Sequence, residues 1–485
     1  LLFTNLNTFA QTNSMQLLKK NLSTILFAIG LLLFVTYQYS FLATPYFWDE
    51  LGVYIPAAQH MNDAGTISLM PSSLDPLYSR GHPLLYTFLN ASAFHFFGDR
   101  VVVAHTLALL FAVFVLLSFY YILSNVCSKR IALLSCLIVA VQPLFVAMSI
   151  VSLPEICLSL FLLWAIWALI KEHWLLFAIM STLAILTKES AIVIVGVAFS
   201  FVVIKQHLMD KRYKRQQIRW ALLFASTPLF FYALFLGIQR IQNGWFFFPE
   251  HIGYLHFNIV GFFDTNWLMC KQFFFNKSNF IIGSAAFVSL AYNLIYYKKA
   301  NTFSFVVIAF IIISMFFSNV NFYMQRYLLI ILPWVVALGM VAIDNALQVF
   351  LKAATWRAPI LWIVVVVSCG LAISHWDSNT FNDTCDTSYR KTVSLVQQTA
   401  DWLQGQAWNQ QRIEANFPIY QALQEPRNGY VKKPFTIAVN FQEKCKYGIF
   451  FKTKGIWDPF TEHSYLKTLQ LFKNDFAEVR VVQFY

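Results

Sequence analysis

FWDELGVYIPAAQHMNDAG, residues 47–65, sets two adjacent acids, Asp49 and Glu50, just past the first long apolar run of the chain, residues 21–40. Carboxylates at the mouth of a membrane span are costly to hold there unless they are solvated or used. The stretch therefore reads in two ways at once. The run before it is a span that ends here, and the acids beyond its end are candidates for chemistry.

Composition agrees with the first reading. Of 485 residues, 58% are hydrophobic and 12% charged, whereas a soluble domain carries about 25% charged residues. Fifty Phe and 14 Trp suit lipid-facing surfaces and interfacial belts. The net charge of +12 could point to nucleic acid. The placement of Lys and Arg in short runs between apolar segments points instead to topology signals, so no nucleic-acid partner is expected. The seven cysteines show neither a CxxC pair nor zinc spacing. The run 21–40 is long enough to remain as a span rather than a cleaved signal. Residues before Met15 read as an unstructured polar leader.

Apolar runs near 21–40, 101–124, 131–149, 154–170, 174–187, 189–205, 220–239, 279–297, 303–318, 327–343 and 358–375 are about 11 candidate spans, which meet the roughly 20 residues a span needs or fall short of it, as 174–187, 189–205 and 303–318 do. On this map one side collects Lys19, Lys20, Lys129, Arg130, Lys171, the run 205–219, Lys298, Lys299, Lys352 and Arg357. The other side collects far fewer before the tail: Arg80, Arg100, Lys188, Arg240, Lys271, Lys277 and Arg326. The positive-inside rule makes the first side cytoplasmic, with the N-terminus inside and the tail outside. The expected fold is mainly α: a polytopic membrane protein with interfacial helices in the first outer loop, 41–100, plus a small extracytoplasmic α/β domain. The leader is 1–20, the membrane domain 21–375 and the soluble domain 376–485.

In the tail, Val393, Val396, Ala400 and Leu403 recur at helical spacing over 388–404. FTIAVNF (435–441), YGIFFKT (447–453) and VRVVQFY (479–485) read as strands, and a helix is expected near 463–473. Cys385 and Cys445 both fall outside, where a disulfide is permitted and two thiols are equally acceptable.

The polar residues at span ends sort by side. Asp49, Glu50, Arg80, His82, Glu155, Lys188, Glu189 and Arg326 all fall on the outer side. Scattered core polar residues would not sort this way. Carboxylates beside cations at a bilayer surface suit displacement of a lipid phosphate from a sugar. A positioned Asp can take the acceptor's proton, and Arg and Lys can stabilise the charge gained by the departing phosphate. For single residues a structural reading stands alongside: Asp49 as a helix cap, Pro154–Glu155 as helix-start chemistry, and Lys188 or Arg326 as interfacial anchors. Loop 241–278, with Trp245, Phe246–Phe248, His251, His256, Asp264 and Trp267, suits either a lid over a lipid donor or ordinary interfacial packing.

In order and spacing over about 21–343, these motifs resemble the C-type integral membrane glycosyltransferases, in the branch of the protein O-mannosyltransferases and the bacterial lipid A aminoarabinose transferases. The points of resemblance are Asp49–Glu50 after the first span, LYSRGHPLLYTFLNASAFHFFG (77–98), Glu155 opening the fourth span, the Leu-Thr-Lys turn at 186–188, and Arg326 to Pro333. Arg80-Gly81-His82-Pro83 stands where bacterial members often have Lys-Pro-Pro, and Glu155 where they often have Asp. The tail is not the β-trefoil of the fungal enzymes.

The resemblance implies a sugar donor on a polyprenyl phosphate, inversion at the sugar carbon, and Asp49 as base with Glu50 and Glu155 in the catalytic set. Lys188 and Arg326, with Arg80 or His82, are then the donor-phosphate ligands. The acceptor is a lipid, a protein or a glycan, and a bacterial inner membrane is the favoured location. Some relatives use a divalent cation and others do not. Glu155 and His82 are the candidate metal ligands, and no cofactor is required. The competing class is a transporter or flippase of a lipid-linked sugar, which would set ionisable residues near the bilayer midplane.

Overall fold

The computed structural model describes residues 2–204, 215–253, 259–296, 302–320, 323–351, 354–377, 384–406, 408, 411–438, 445–453 and 467–484. Helices account for most of them, followed by one small sheet. Among the described residues five helices are long and apolar enough to cross a membrane: Asn21–Tyr39, Val101–Val126, Gln216–Asn243, Lys277–Ile295 and Leu332–Phe350. Five shorter apolar helices accompany them: Pro154–Ile170, Trp174–Thr187, Glu189–Ile204, Thr302–Ser318 and Arg357–Ile373. The protein is an integral membrane protein.

Local chemistry sets several boundaries. Ser128 caps the helix Lys129–Ala140, its Oγ accepting from Ile131 N at 3.2 Å. The stretch 131–149, expected as one span, is instead broken: a second short helix, Pro143–Met148, restarts at the proline, whose missing N–H suits a first turn. Two glycines let helices approach closely. A Cβ on Gly339 would run into the Ile282 carbonyl, and one on Gly283 into the Phe274 backbone. The residues before Met15 are not an unstructured leader, since Leu2–Tyr39 is one helix. Extending an existing helix costs less than nucleating one. Loop 241–278 contains the helices Pro249–Ile252 and Ile259–Phe274. The basic run 205–214, Lys298, Lys299, Lys352 and His256 lie outside the described residues.

The tail begins with the helix Tyr389–Gly405, which buries Val393, Val396, Ala400 and Leu403. Five strands follow: β1 Arg412–Ala415, β2 Thr436–Ala438, β3 Tyr447–Thr453, β4 Lys467–Lys473 and β5 Ala477–Gln483. Their order is β2-β1-β3-β5-β4. β1 runs parallel to β2 and β3, while β5 is antiparallel to β3 and β4. The helix expected near 463–473 is absent where that range is described. Lys467–Lys473 is an edge strand, because pairing with β5 outweighs local preference. Residues 439–441 and 463–466 lie outside the described residues. No Cys385–Cys445 bridge is formed; both are thiols, with Cys385 buried.

This domain sits on the first loop. Tyr430 Oη donates to Tyr46 O at 2.9 Å, and Tyr46 N donates to Asn428 O at 3.2 Å. Arg427 reaches across to Asp63 at 2.9 Å and Asp99 at 2.8 Å, and holds Glu425 at 3.0 Å. Burial raises the Asp99 carboxyl above its usual value, while Arg427 pulls it back down. Arg427→Ala should therefore loosen the domain by about 1 kcal/mol, since the pairs are partly exposed. The loss should grow as pH rises through the carboxylate range, where Asp99 ionises without its partner. Hydrogen exchange of 411–438 at two pH values, with and without added salt, measures it. A pH-independent loss would exclude Asp99 as the cause.

Candidate active site

The chain turns sharply into the Asp49 stretch. Trp48 has a φ of 53°, a left-handed conformation that a bulky residue rarely adopts. A π-helix, Glu50–Tyr54, follows directly, a form concentrated at functional sites. The strained turn is held from the tail, with the Trp48 ring edge-on to Phe417 at 5.2 Å and Phe47 stacked on Tyr389 at 6.2 Å. Asp49 makes no side-chain cap bond, so the helix-cap reading fails. Its Oδ2 instead accepts from Arg326 Nη2. The carboxylate remains 31% exposed, while Arg326 is 2% exposed.

Behind Asp49 lies a buried charge cluster. Glu155 Oε1 accepts from Lys188 Nζ at 2.7 Å and lies 3.6 Å from Arg326 Nε. Glu155 and Lys188 are both buried. The Lys188 ammonium stands 4.0 Å over the Tyr327 ring, a favourable seat for a desolvated cation. Three distant segments are thereby tied together: the start of helix Pro154–Ile170, the turn at 187–189 and the 3-10 turn Gln325–Ile330. Glu155 Oε2 is buried with no hydrogen-bond partner among the described residues. Buried ion pairs seldom repay their desolvation in stability, and such clusters are concentrated where chemistry is done.

Glu50 points the other way. It is 1% exposed. Its Oε1 takes Ser152 N–H at 2.7 Å and His105 Nε2 at 2.7 Å, and its Oε2 takes Phe47 N–H at 3.2 Å. His105 Nδ1 lies 3.1 Å from Leu42 O. A carbonyl only accepts, so Nδ1 is the hydrogen-bearing nitrogen in that contact. Ser152 Oγ extends the network to Asn90 at 3.0 Å and Tyr86 at 2.9 Å. Glu50 thus fixes the Asp49 turn to a span helix and to the turn before Glu155. His105→Ala should cost about 2 kcal/mol by leaving Glu50 without this partner. It should also displace Asp49, so thermal unfolding falls and turnover falls with it. A variant of unchanged melting temperature would contradict this account.

The RGH segment forms a third group. His82 Nδ1 lies 3.2 Å from Glu189 Oε2, and its ring faces Tyr54 at 6.0 Å and His251 at 5.0 Å. Gly81, with φ 73°, leaves room for Trp245 and Phe248 to pack where a Cβ would stand. Loop 241–278 therefore covers this segment through Trp245, Phe248 and His251. Burial, and then the neighbouring His82, lowers the His251 pKa below the ordinary imidazole value. Arg80 caps a short helix in the left-handed conformation, and no side-chain partner of Arg80 is seen among the described residues.

The metal candidates do not come together. Glu155 is engaged by Lys188 and Arg326, and His82 by Glu189. Among the described residues no three His, Cys, Asp or Glu side chains converge on a metal position. Two cations beside Glu155 make this donor set unfit for a divalent ion. The structure joins Asp49, Glu155, Lys188 and Arg326 in one cluster, sets His82 with Glu189 beside it, and turns Glu50 into the core. The partner choices of Glu50, His82 and Glu155, and the bracing by Phe417 and Tyr389, left no trace in sequence spacing. His105, a rare ionisable group within an apolar run, was the one visible sign.

Residues 81–233 match the model of the dolichyl-phosphate-mannose-protein mannosyltransferase family. The match takes in His82, Glu155 and Lys188 and stops short of Asp49 and Arg326. No curated protein matches the sequence significantly. Solved structures do. ArnT from Cupriavidus metallidurans bound to undecaprenyl phosphate superposes with a TM-score of 0.58 at 12% identity, over 95% of this chain and 98% of that one. The Archaeoglobus fulgidus oligosaccharyltransferase in complex with Zn and sulfate gives 0.52 at 11% identity, over 85% of this chain and 62% of that one. AglB of the same organism, with an inhibitory peptide and a dolichol-phosphate, gives 0.50 at 12% identity, over 89% and 70%. Residues 81–233 thus match the mannosyltransferase family model, within a chain that shares, over nearly its whole length, the fold of ArnT.

Proposed function

We propose that this protein is a membrane glycosyltransferase that moves a sugar from a polyprenyl-phosphate donor to an acceptor, with inversion, at the outer face of a bacterial inner membrane. The observation that carries the reading is the partly exposed Asp49 carboxylate held against Arg326, with Lys188 and Glu155 buried behind it. Asp49 takes the proton of the acceptor's hydroxyl or amine. The acceptor atom bonds to the sugar's anomeric carbon from the face opposite the phosphate, and the carbon–oxygen bond to phosphate breaks. The electron pair leaves with polyprenyl phosphate, which passes from a diester with one negative charge to a monoester with two. Arg80, Arg326 and Lys188 stabilise that added charge, and His82 orients beside them through Glu189. Glu155 and Glu50 act as positioning residues: the first holds the two cations, the second holds the Asp49 turn. In this reading the N-terminus lies in the cytoplasm and the C-terminal domain outside, as the distribution of Lys and Arg favours.

ArnT bound to undecaprenyl phosphate and AglB bound to a dolichol-phosphate support the donor class by likeness of fold. The transporter reading has less support, because the charges gather at one end of the helix bundle rather than near its middle. The test is a transfer assay with the purified full chain, radiolabelled polyprenyl-phosphate sugars, and lipid A, protein or glycan acceptors. Transfer with inverted anomeric configuration is the expected result. Translocation of the donor across vesicles without any transfer would overturn the proposal in favour of the transporter.

A further inference from the structure

A cavity of about 560 Å³ opens where the first and last apolar helices end and the C-terminal domain begins. Tyr37, Ile373, Ser374, Trp376, Asp377, Arg390 and Lys391 are among the residues that line it. None of these belongs to the Asp49 cluster. The volume is that of a small-molecule site rather than a packing defect.

Its charge is set by Arg390. The guanidinium lies 3.5 Å over the Phe41 ring. It donates to Tyr37 Oη at 3.2 Å and Gln38 Oε1 at 3.3 Å, both neutral acceptors. Arg390 Nε is buried without a hydrogen-bond partner, and no carboxylate lies within ion-pair distance of Arg390 among the described residues. Lys391, by contrast, is matched by Asp377 at 3.0 Å. Arg390, Lys391 and Asp377 are the charged groups of the lining, so it carries a net positive charge, and the Arg390 guanidinium is already fixed in place. That is the arrangement that recognises a phosphate, because the fork is oriented before the anion arrives.

The surroundings fit an amphiphile. Tyr37 and Trp376 face each other at 5.0 Å, and Trp376 Nε1 donates to Val141 O at 2.8 Å. Such rings mark the headgroup level of a bilayer. Ile373, the last residue of an apolar helix, also lines the cavity. The cavity thus offers a guanidinium, two aromatic rings and an aliphatic side chain. We infer that this cavity binds the phosphate headgroup of an anionic membrane lipid, at a site separate from the Asp49 cluster.

The test is native mass spectrometry of the delipidated full chain, titrated with phosphatidylglycerol or with phosphatidylcholine. Arg390→Gln removes the charge. Ser374→Trp fills the cavity from its rim while leaving the Arg390 bonds in place, and it carries the test alone if the first variant fails to fold. The parent should bind one phosphatidylglycerol about tenfold more tightly than either variant, as a lost charge-assisted contact implies. Phosphatidylcholine should bind weakly to all three. Displacement by millimolar inorganic phosphate would show that the phosphate alone is recognised, which the inference accommodates. Displacement by lipid only would show that the acyl chains are also needed. Equal phosphatidylglycerol affinity in the parent and the folded variants, or equal affinity of the parent for the two lipids, overturns it.

Discussion

Asp49→Asn should lower sugar transfer by about 10²- to 10⁴-fold, the range that loss of a general base covers. The fall should lie in kcat, with the donor KM little changed. An Asn at this position can still accept from Arg326, so the turn and the buried cluster should survive and the melting temperature should stay near that of the parent. The substitution removes the proton affinity together with a partly exposed negative charge, while Glu155 stays to offset the buried cations. The measurement is initial-rate transfer at several donor concentrations, paired with thermal unfolding of the same preparation. A variant that transfers as fast as the parent would remove Asp49 from the mechanism. One that loses activity only because it melts earlier would assign it a structural role.

Glu155→Gln should have the largest effect on stability. Lys188 and Arg326 are both buried, and Glu155 is the carboxylate that both of them approach. Removing its charge leaves two cations in a low-dielectric interior, with Asp49 paired to Arg326 and Glu189, itself engaged by His82, as the remaining acids nearby. Breaking a buried pair from one side costs about 3–5 kcal/mol. Glu155→Asp keeps the charge on a shorter arm and should recover part of the loss. Thermal unfolding in detergent, followed by intrinsic fluorescence, reads the series. If Glu155→Gln melts with the parent, the cluster is solvated and the burial argument is wrong.

How much of this was legible beforehand depends on the range of the interaction. Hydropathy is a local property, and apolar helices do stand where apolar runs stand. The break at Gln142–Pro143 escaped notice because hydropathy counts side chains and not the backbone hydrogen bonds that a proline removes. Lys467–Lys473 was read as helical, yet its backbone partners come from β5, on the far side of a turn. At the site, topology puts Asp49, Glu155, Lys188 and Arg326 on one face, and the structure joins the four side chains in one cluster. Their pairings could not be read from topology, since Glu155 finds Lys188 33 positions away and Asp49 finds Arg326 277 positions away. Glu50 looked like the twin of Asp49 because neighbours in sequence share a level in the membrane. The turn at Trp48 and the π-helix after it send the two side chains to opposite environments.

The tail's grip on that turn bears on how the protein can be rebuilt. Phe417, Tyr389, Asn428 and Tyr430 all touch residues 46–48, so the C-terminal domain supplies part of the wall that fixes the turn before Asp49. It is not a detachable module. A chimera that keeps residues 1–375 and takes a relative's tail should insert in the membrane with its buried cations intact and still be a poor catalyst, until the residues opposite Tyr46, Phe47 and Trp48 are carried over with it.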